Sequence, residues 1–365
     1  MNDRIKNLDF LRGFFVLLAL DQHFSYYLNV WYLDYFRDSM ALKTTYASHF
    51  PLIGKTLSVG PIEYWLALIF TPWVSQIYLT MSAFNLAKRS QEDFKGNLSS
   101  KLKIFGLIFL FFILENFIVA PNTGEAISFY PIMLWMIVLS LLSVLYKNLG
   151  IRAIAALTFI SLFRFVVPID LLSDFWESAI KNMFHPGYEY DARLEYFILS
   201  GCLGFFMGHI HYHKFNLRKK KNTYFILSGL FFIVLFYFFG DKFTIDPSNV
   251  FSTEHTLAGT FWGTLYILGV QGLVISLFLL LEEKNITFNL PVINWIGMNS
   301  LLVFSLHRIL FVKFIAPASA MMGNFLGYTL SPSSIQLYIY ITFTLIICYI
   351  IKRTPIIEII FQRKG

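Results

Sequence analysis

Long apolar stretches alternate with short basic or polar ones along nearly the whole chain. Runs near Phe10 to Leu28, Ile62 to Leu86, Ile104 to Ala120, Ser128 to Tyr146 and Ile151 to Pro168 are followed by five more, near Leu194 to Tyr212, Thr223 to Gly240, Leu257 to Leu281, Val292 to Ala316 and Leu337 to Ile351. A helix rising about 1.5 Å per residue crosses the hydrocarbon core of a bilayer in about 20 residues, which is the length of most of these runs. The pattern predicts an all-α integral membrane fold of about ten transmembrane helices in one domain over residues 1–365. The first run has no small-residue cleavage site after it and is expected to be retained.

The loops between the runs set an orientation. Lys88, Arg89, Lys95, Lys101 and Lys103 crowd one connection, and Lys214, Arg218, Lys219, Lys220 and Lys221 crowd another; Lys147 with Arg152, and Lys352 with Arg353, fall on the same side. Basic residues collect in cytoplasmic loops, so both termini are expected in the cytoplasm. The opposite side receives two long connections, Asn29 to Pro61 and Ile169 to Arg193, through which an acceptor could approach.

Composition agrees with this reading. The chain is 56% hydrophobic and only 14% charged, where a soluble domain has about a quarter of its residues charged. The net charge of +7 resides in the loops, so it marks orientation and gives no support to a nucleic-acid partner. Cys202 and Cys348 both lie inside apolar runs and read as core residues.

Ionisable residues inside the runs carry the chemistry. Arg12 and His23 are eleven residues apart on the first run, which returns them to within about 20° of one helix face, and Asp9, Val16 and Ala19 lie within about 40° of that face. A charge facing lipid is costly, so the stripe is expected to face the protein. Glu115, followed by Asn116, interrupts the third run and is a functional candidate on the same ground. Asn299, Ser300 and His307 interrupt the ninth, with Asn299 and His307 about 80° apart on one helix; polar glue between helices is the plain alternative. His209, His211 and His213 alternate as metal ligands do on a strand, but on a helix successive members splay by about 200°, so no metal is expected. Gly201, Gly204 and Gly208 have a packing explanation, because small residues let membrane helices approach closely.

The stretch Leu8-Asp9-Phe10-Leu11-Arg12-Gly13 followed by His23 resembles the Arg-x10-His signature that opens the transmembrane acyltransferases, the acyltransferase 3 family and the relatives of heparan-alpha-glucosaminide N-acetyltransferase. Asn294-Trp295-Ile296-Gly297-Met298-Asn299-Ser300, ending in His307, resembles a Gly-Met-Asn-Ser run and His of the lysosomal branch, and the segment around Glu115 is similar to one in its bacterial relatives. The resemblance covers Arg4 to about Arg89 and Asn294 to Phe311; in between it is mainly one of helix order. It departs from the family at Asp21-Gln22-His23, where bacterial relatives join Asp and His directly. It departs again before Phe70-Thr71-Pro72-Trp73, where His49 is the nearest His and a second candidate only.

The resemblance implies transfer of an acyl group, acetyl first, from cytoplasmic acetyl-CoA to a glycan hydroxyl or amine, or another small acceptor, outside a bacterial inner membrane. It implies no metal, and assembly as a homodimer stays open. His23 is the expected base or acyl carrier, since an imidazole titrates near neutrality; Glu115 is its better partner, because Asp21, also a catalytic candidate, lies about 160° around the helix. Arg12 is expected at the donor's phosphates, with Asp9, Asn299 and His307 lining the donor site. The rival class is a transporter or proton-coupled channel using Arg12, His23, Glu115 and His307 as its path.

Overall fold

The computed structural model describes residues 5–27, 76–88, 106, 109–110, 113, 131–163, 194–213, 215–240, 260–315 and 334–354. All regular structure among them is helical. In chain order the helices are α1 (Lys6–Tyr27), α2 (76–88), α3 (Pro131–Leu149), α4 (Ile151–Phe163), α5 (Leu194–His213) and α6 (Phe215–Phe239). They continue with α7 (Phe261–Glu283), α8 (Pro291–Met298), α9 (Ser300–Leu310), a π-helical turn (Phe311–Ile315) and α10 (Ser334–Lys352). Most follow the apolar runs closely. The run from Val292 to Ala316 is the exception: a single helix is expected there, and the chain forms two helices and a π turn.

Two of the described helices are long and apolar enough to cross a membrane: Lys220–Phe239, with mean hydropathy 1.9, and Phe261–Glu283, with 2.2. Only 11% of the first is buried, and it exposes Leu227, Leu230, Phe231, Val234, Tyr237 and Phe238. An apolar surface of that extent suits hydrocarbon far better than water.

Contacts group the chain into two compact units. In the first, glycines set the helix crossings. A Cβ on Gly208 of α5 would lie 2.5 Å from the Phe84 carbonyl oxygen of α2, and one on Gly229 of α6 would lie 2.5 Å from the Gly269 carbonyl oxygen of α7. Both distances are inside van der Waals contact, so the backbones approach as only glycine allows. Between α2, α5 and α7 lies a buried neutral network: Ser200 Oγ donates to Gln76 Oε1 (3.1 Å), Gln271 Nε2 donates to Ser200 Oγ (3.2 Å), and Thr80 Oγ1 donates to the Ser200 carbonyl (3.0 Å).

The first turn of α1 also belongs to this unit, and α7 holds it. Glu282 accepts the backbone N–H groups of Lys6 (3.0 Å) and Asn7 (2.7 Å), placing a carboxylate on amides that a helix start leaves without internal partners. Asn7, fully buried, donates from Nδ2 to the carbonyls of Phe278 (3.1 Å) and Ile286 (2.8 Å) and accepts from Phe288 N–H (2.8 Å). The segment it grips leaves α7 through a tight cap: Asn285 takes a left-handed φ of 61°, while Ile286 N–H bonds to the Leu281 carbonyl and Asn285 N–H to that of Glu282.

The second unit contains α1 from Asp9 onward and α8 through α10. Here α10 turns Tyr340, Thr344 and Cys348, one per turn, into the interior. The Tyr340 ring meets Phe311 edge-on at 5.7 Å, and Trp295 packs on Tyr349 at 5.9 Å.

Candidate functional site

In the second unit α1 and α8 cross at two glycines. A Cβ on Gly13 would overlap the Ile293 carbonyl, and one on Gly297 would overlap the Asp9 carbonyl. With neither residue carrying a side chain, backbone meets backbone. The crossing brings the stretch Asp9 to Gly13 against the stretch Ile293 to Gly297, nearly the full length of the chain away.

The described members of the Arg12 stripe face inward as expected: Asp9, Val16 and Ala19 are buried, and Arg12 is half-buried. Arg12 Nη1 lies 3.6 Å from Asp9 Oδ1, one helical turn earlier. That is an ion pair longer than a hydrogen bond, and it draws one nitrogen of the guanidinium toward the Asp9 carboxylate. Asp9 thus reads as a residue that steers Arg12.

Asn299 stands at the junction of α8 and α9, with φ −117° and ψ 22°. Its Nδ2 donates back to the Trp295 carbonyl (2.7 Å), and its own carbonyl starts α9 by accepting the Val303 N–H (3.0 Å). The break is one residue wide. Beyond it α9 buries Ser305, His307 and Arg308, then gives way to the π turn. Short π segments inside helices are frequent at functional sites, and here one begins three residues after Arg308. His307 Nδ1 bonds to the Phe304 carbonyl. A carbonyl only accepts, so Nδ1 carries a proton.

His23 and Asp21 lie on α1, but their side chains fall outside the described residues, as do Glu115, Asn116 and His49 altogether. By helix position His23 is ten residues past Gly13, and His307 is ten past Gly297. Each is therefore about 15 Å along its own chain path from the crossing.

Sequence reasoning passed over Arg308 and the Asn7–Glu282 contact. Arg308 carried a legible signal, a charge inside an apolar run. Asn7 did not, since its partners lie more than 270 residues away. Of the three alternate histidines His211 turns away from the other two, whose rings lie 5.4 Å apart, and each has its own partner: His209 Nδ1 bonds to Tyr146 Oη (2.6 Å), His211 to Lys221, and His213 Nε2 to the Ala87 carbonyl (3.1 Å).

Comparison with protein-family models, with curated proteins and with solved structures returns no match, so the family reading stands on these residues alone.

Proposed function

We propose that the chain is a multi-pass membrane acyltransferase, with both termini in the cytoplasm of a bacterial inner membrane. It takes an acetyl group from cytoplasmic acetyl-CoA and delivers it to a hydroxyl or amine, that of a glycan first, on the other side. The observation that carries this reading is the Gly13–Gly297 crossing, which brings together the two stretches on which the family resemblance rests. Arg12, steered by Asp9, binds donor phosphate through its guanidinium fork. His23 takes the proton of the acceptor as its oxygen or nitrogen attacks the thioester carbonyl; the C–S bond breaks, and the CoA thiolate leaves and is protonated from solvent. Glu115 orients His23, while Asn299 and His307 line the donor site.

Purified protein in detergent, given radiolabelled acetyl-CoA, is expected to transfer or hydrolyse the acetyl group. Arg12→Ala is expected to weaken acetyl-CoA binding about tenfold or more, and Arg12→Lys to recover only part, because the charge returns without the fork. Absence of both transfer and hydrolysis, or unchanged donor affinity in the Ala variant, counts against the reading.

One observation favours a transporter instead: the helix interrupted at Asn299 and again at the π turn, with His307 and Arg308 buried between. Proton or solute flux in proteoliposomes without acetyl turnover would select that reading.

A further inference from the structure

In the second unit α8 is too short to cross a bilayer, since its eight residues give about 12 Å of helix. Part of its surface stays uncovered. Val292, Trp295 and Met298 fall within an arc of about 120°, and this arc faces outward. Val292 is 63% exposed and Met298 41%, whereas Asn294, Ile296 and Gly297 on the rest of the circumference are buried. The outward face of α10 is apolar in the same way. Ile346, Tyr349 and Ile350 are spaced by three and four residues, opposite the buried Tyr340, Thr344 and Cys348, and each of the three is exposed.

Both faces meet at one cluster of rings and cations. The Trp295 ring lies 5.9 Å from that of Tyr349, and the Lys352 ammonium stands 5.8 Å from the centre of the Trp295 ring. Arg353, the next residue, lays its guanidinium over the Tyr349 ring at 4.3 Å and donates from Nη2 to Tyr349 Oη. Lys352 and Arg353 are both exposed. The two contacts with Tyr349 fix the place of the Arg353 charge, and the hydrogen bond uses one of the five N–H groups of a guanidinium. Along the outer face of α10 the order is therefore apolar side chains first and positive charge last.

We propose that the outer faces of α8 and α10 form a binding surface for an anionic phospholipid. Its acyl chains lie along Ile346 and Ile350, and its headgroup phosphate meets Arg353, with Lys352 adding positive charge beside Trp295. Trp, Tyr, Lys and Arg gathered at the end of an apolar face are the residues suited to the boundary between hydrocarbon and headgroups. An amphiphile with its charge at one end matches the order of side chains on α10. A second copy of the chain, turned about an axis along the membrane normal, would instead bring Lys352 and Arg353 against their own counterparts, like charge to like. The surface requires a membrane and no acyl chemistry, so it stands apart from the acyl-transfer reading.

The test places full-length protein in phosphatidylcholine nanodiscs that carry a small, fixed fraction of phosphatidylglycerol brominated on its acyl chains or, separately, of brominated phosphatidylcholine. Bromine quenches tryptophan at contact, and the Trp295 signal is the difference between wild type and Trp295→Phe. Brominated phosphatidylglycerol is expected to quench Trp295 more than brominated phosphatidylcholine does at equal fraction, and added salt to narrow the gap, because exposed charges are screened. Arg353→Gln should cut the preference about fivefold, the worth of one basic residue at a membrane surface, and Arg353→Lys should keep most of it. If Trp295→Phe does not fold, Ile350→Trp supplies the signal as a gain over wild type. Equal quenching by the two lipids overturns the proposal, as does a preference that survives in the folded Lys352→Gln, Arg353→Gln double variant. Quenching by neither lipid, the result when another protein or a second copy covers the face, overturns it as well.

Discussion

Four polar residues of the first unit and three of the second are satisfied in contrasting ways. In the first, Gln76, Thr80, Ser200 and Gln271 are neutral and bond across helices to one another. In the second, Asn299 and Ser305 bond back to the carbonyls of Trp295 and Leu301, and His307 to that of Phe304, in each case on the residue's own helical segment or the one beside it. Cross-helix bonds use a group's capacity to hold helices together. Back-bonding fixes a side chain's direction without tying one helix to another. Burial of a polar residue in an apolar bundle therefore does not by itself mark a site; where its hydrogen bonds go decides whether it ties helices together.

Substitutions can test that contrast. The largest effect is expected at His23: His23→Gln keeps polarity and approximate size but cannot titrate, so acetyl transfer should fall about 10² to 10⁴-fold with little change in donor affinity. A folded variant retaining more than about a tenth of wild-type turnover would remove His23 from the reaction and leave His307 as the next base to test. Gly297→Ala comes second. Its methyl group would overlap the Asp9 carbonyl, so α1 and α8 must separate; a stability loss of about 1–3 kcal/mol is expected, together with a rise in KM for acetyl-CoA. A rise in KM with no change in denaturation midpoint would mean that the crossing positions Arg12 without supporting the fold. The smallest effect is expected at Gln271→Met, which breaks the neutral network: about 0.6–1.7 kcal/mol of stability and no activity. Loss of turnover in a stable Gln271→Met protein would erase the distinction between the two units.

Much of the helical order was legible because long apolar runs bounded by basic or polar residues have one economical solution, the helix, which satisfies its own backbone. α5 begins at Leu194 and ends one residue past the predicted Tyr212, and α7 and α10 each keep within a few residues of their runs. The break at Asn299 was not legible, since hydropathy stays high through Trp295 to Val303 and one asparagine does not forbid a continuous helix. The inward face of α1 could be read from the spacing of Asp9, Arg12, Val16 and Ala19. Its crossing partner could not, because helix periodicity says which face is buried and nothing about what covers it. Gly13 and Gly297 each stood inside a recognised stretch, yet only the fold pairs them. Asn7 escaped notice for a related reason: an asparagine near a basic helix start looks like ordinary interfacial polarity until its neighbours are known.

The grip of Glu282 and Asn7 on the start of α1 also imposes an order in time. The chain emerges from the ribosome N-terminus first, and 275 residues separate Asn7 from the carboxylate that satisfies its amide. At about 5–20 residues per second, the leading helix waits roughly 14–55 seconds for that partner to be synthesised. During that interval other acceptors, such as water, must satisfy the amides that Glu282 later takes. The start of α1 is thus locked only once the end of α7 has been made.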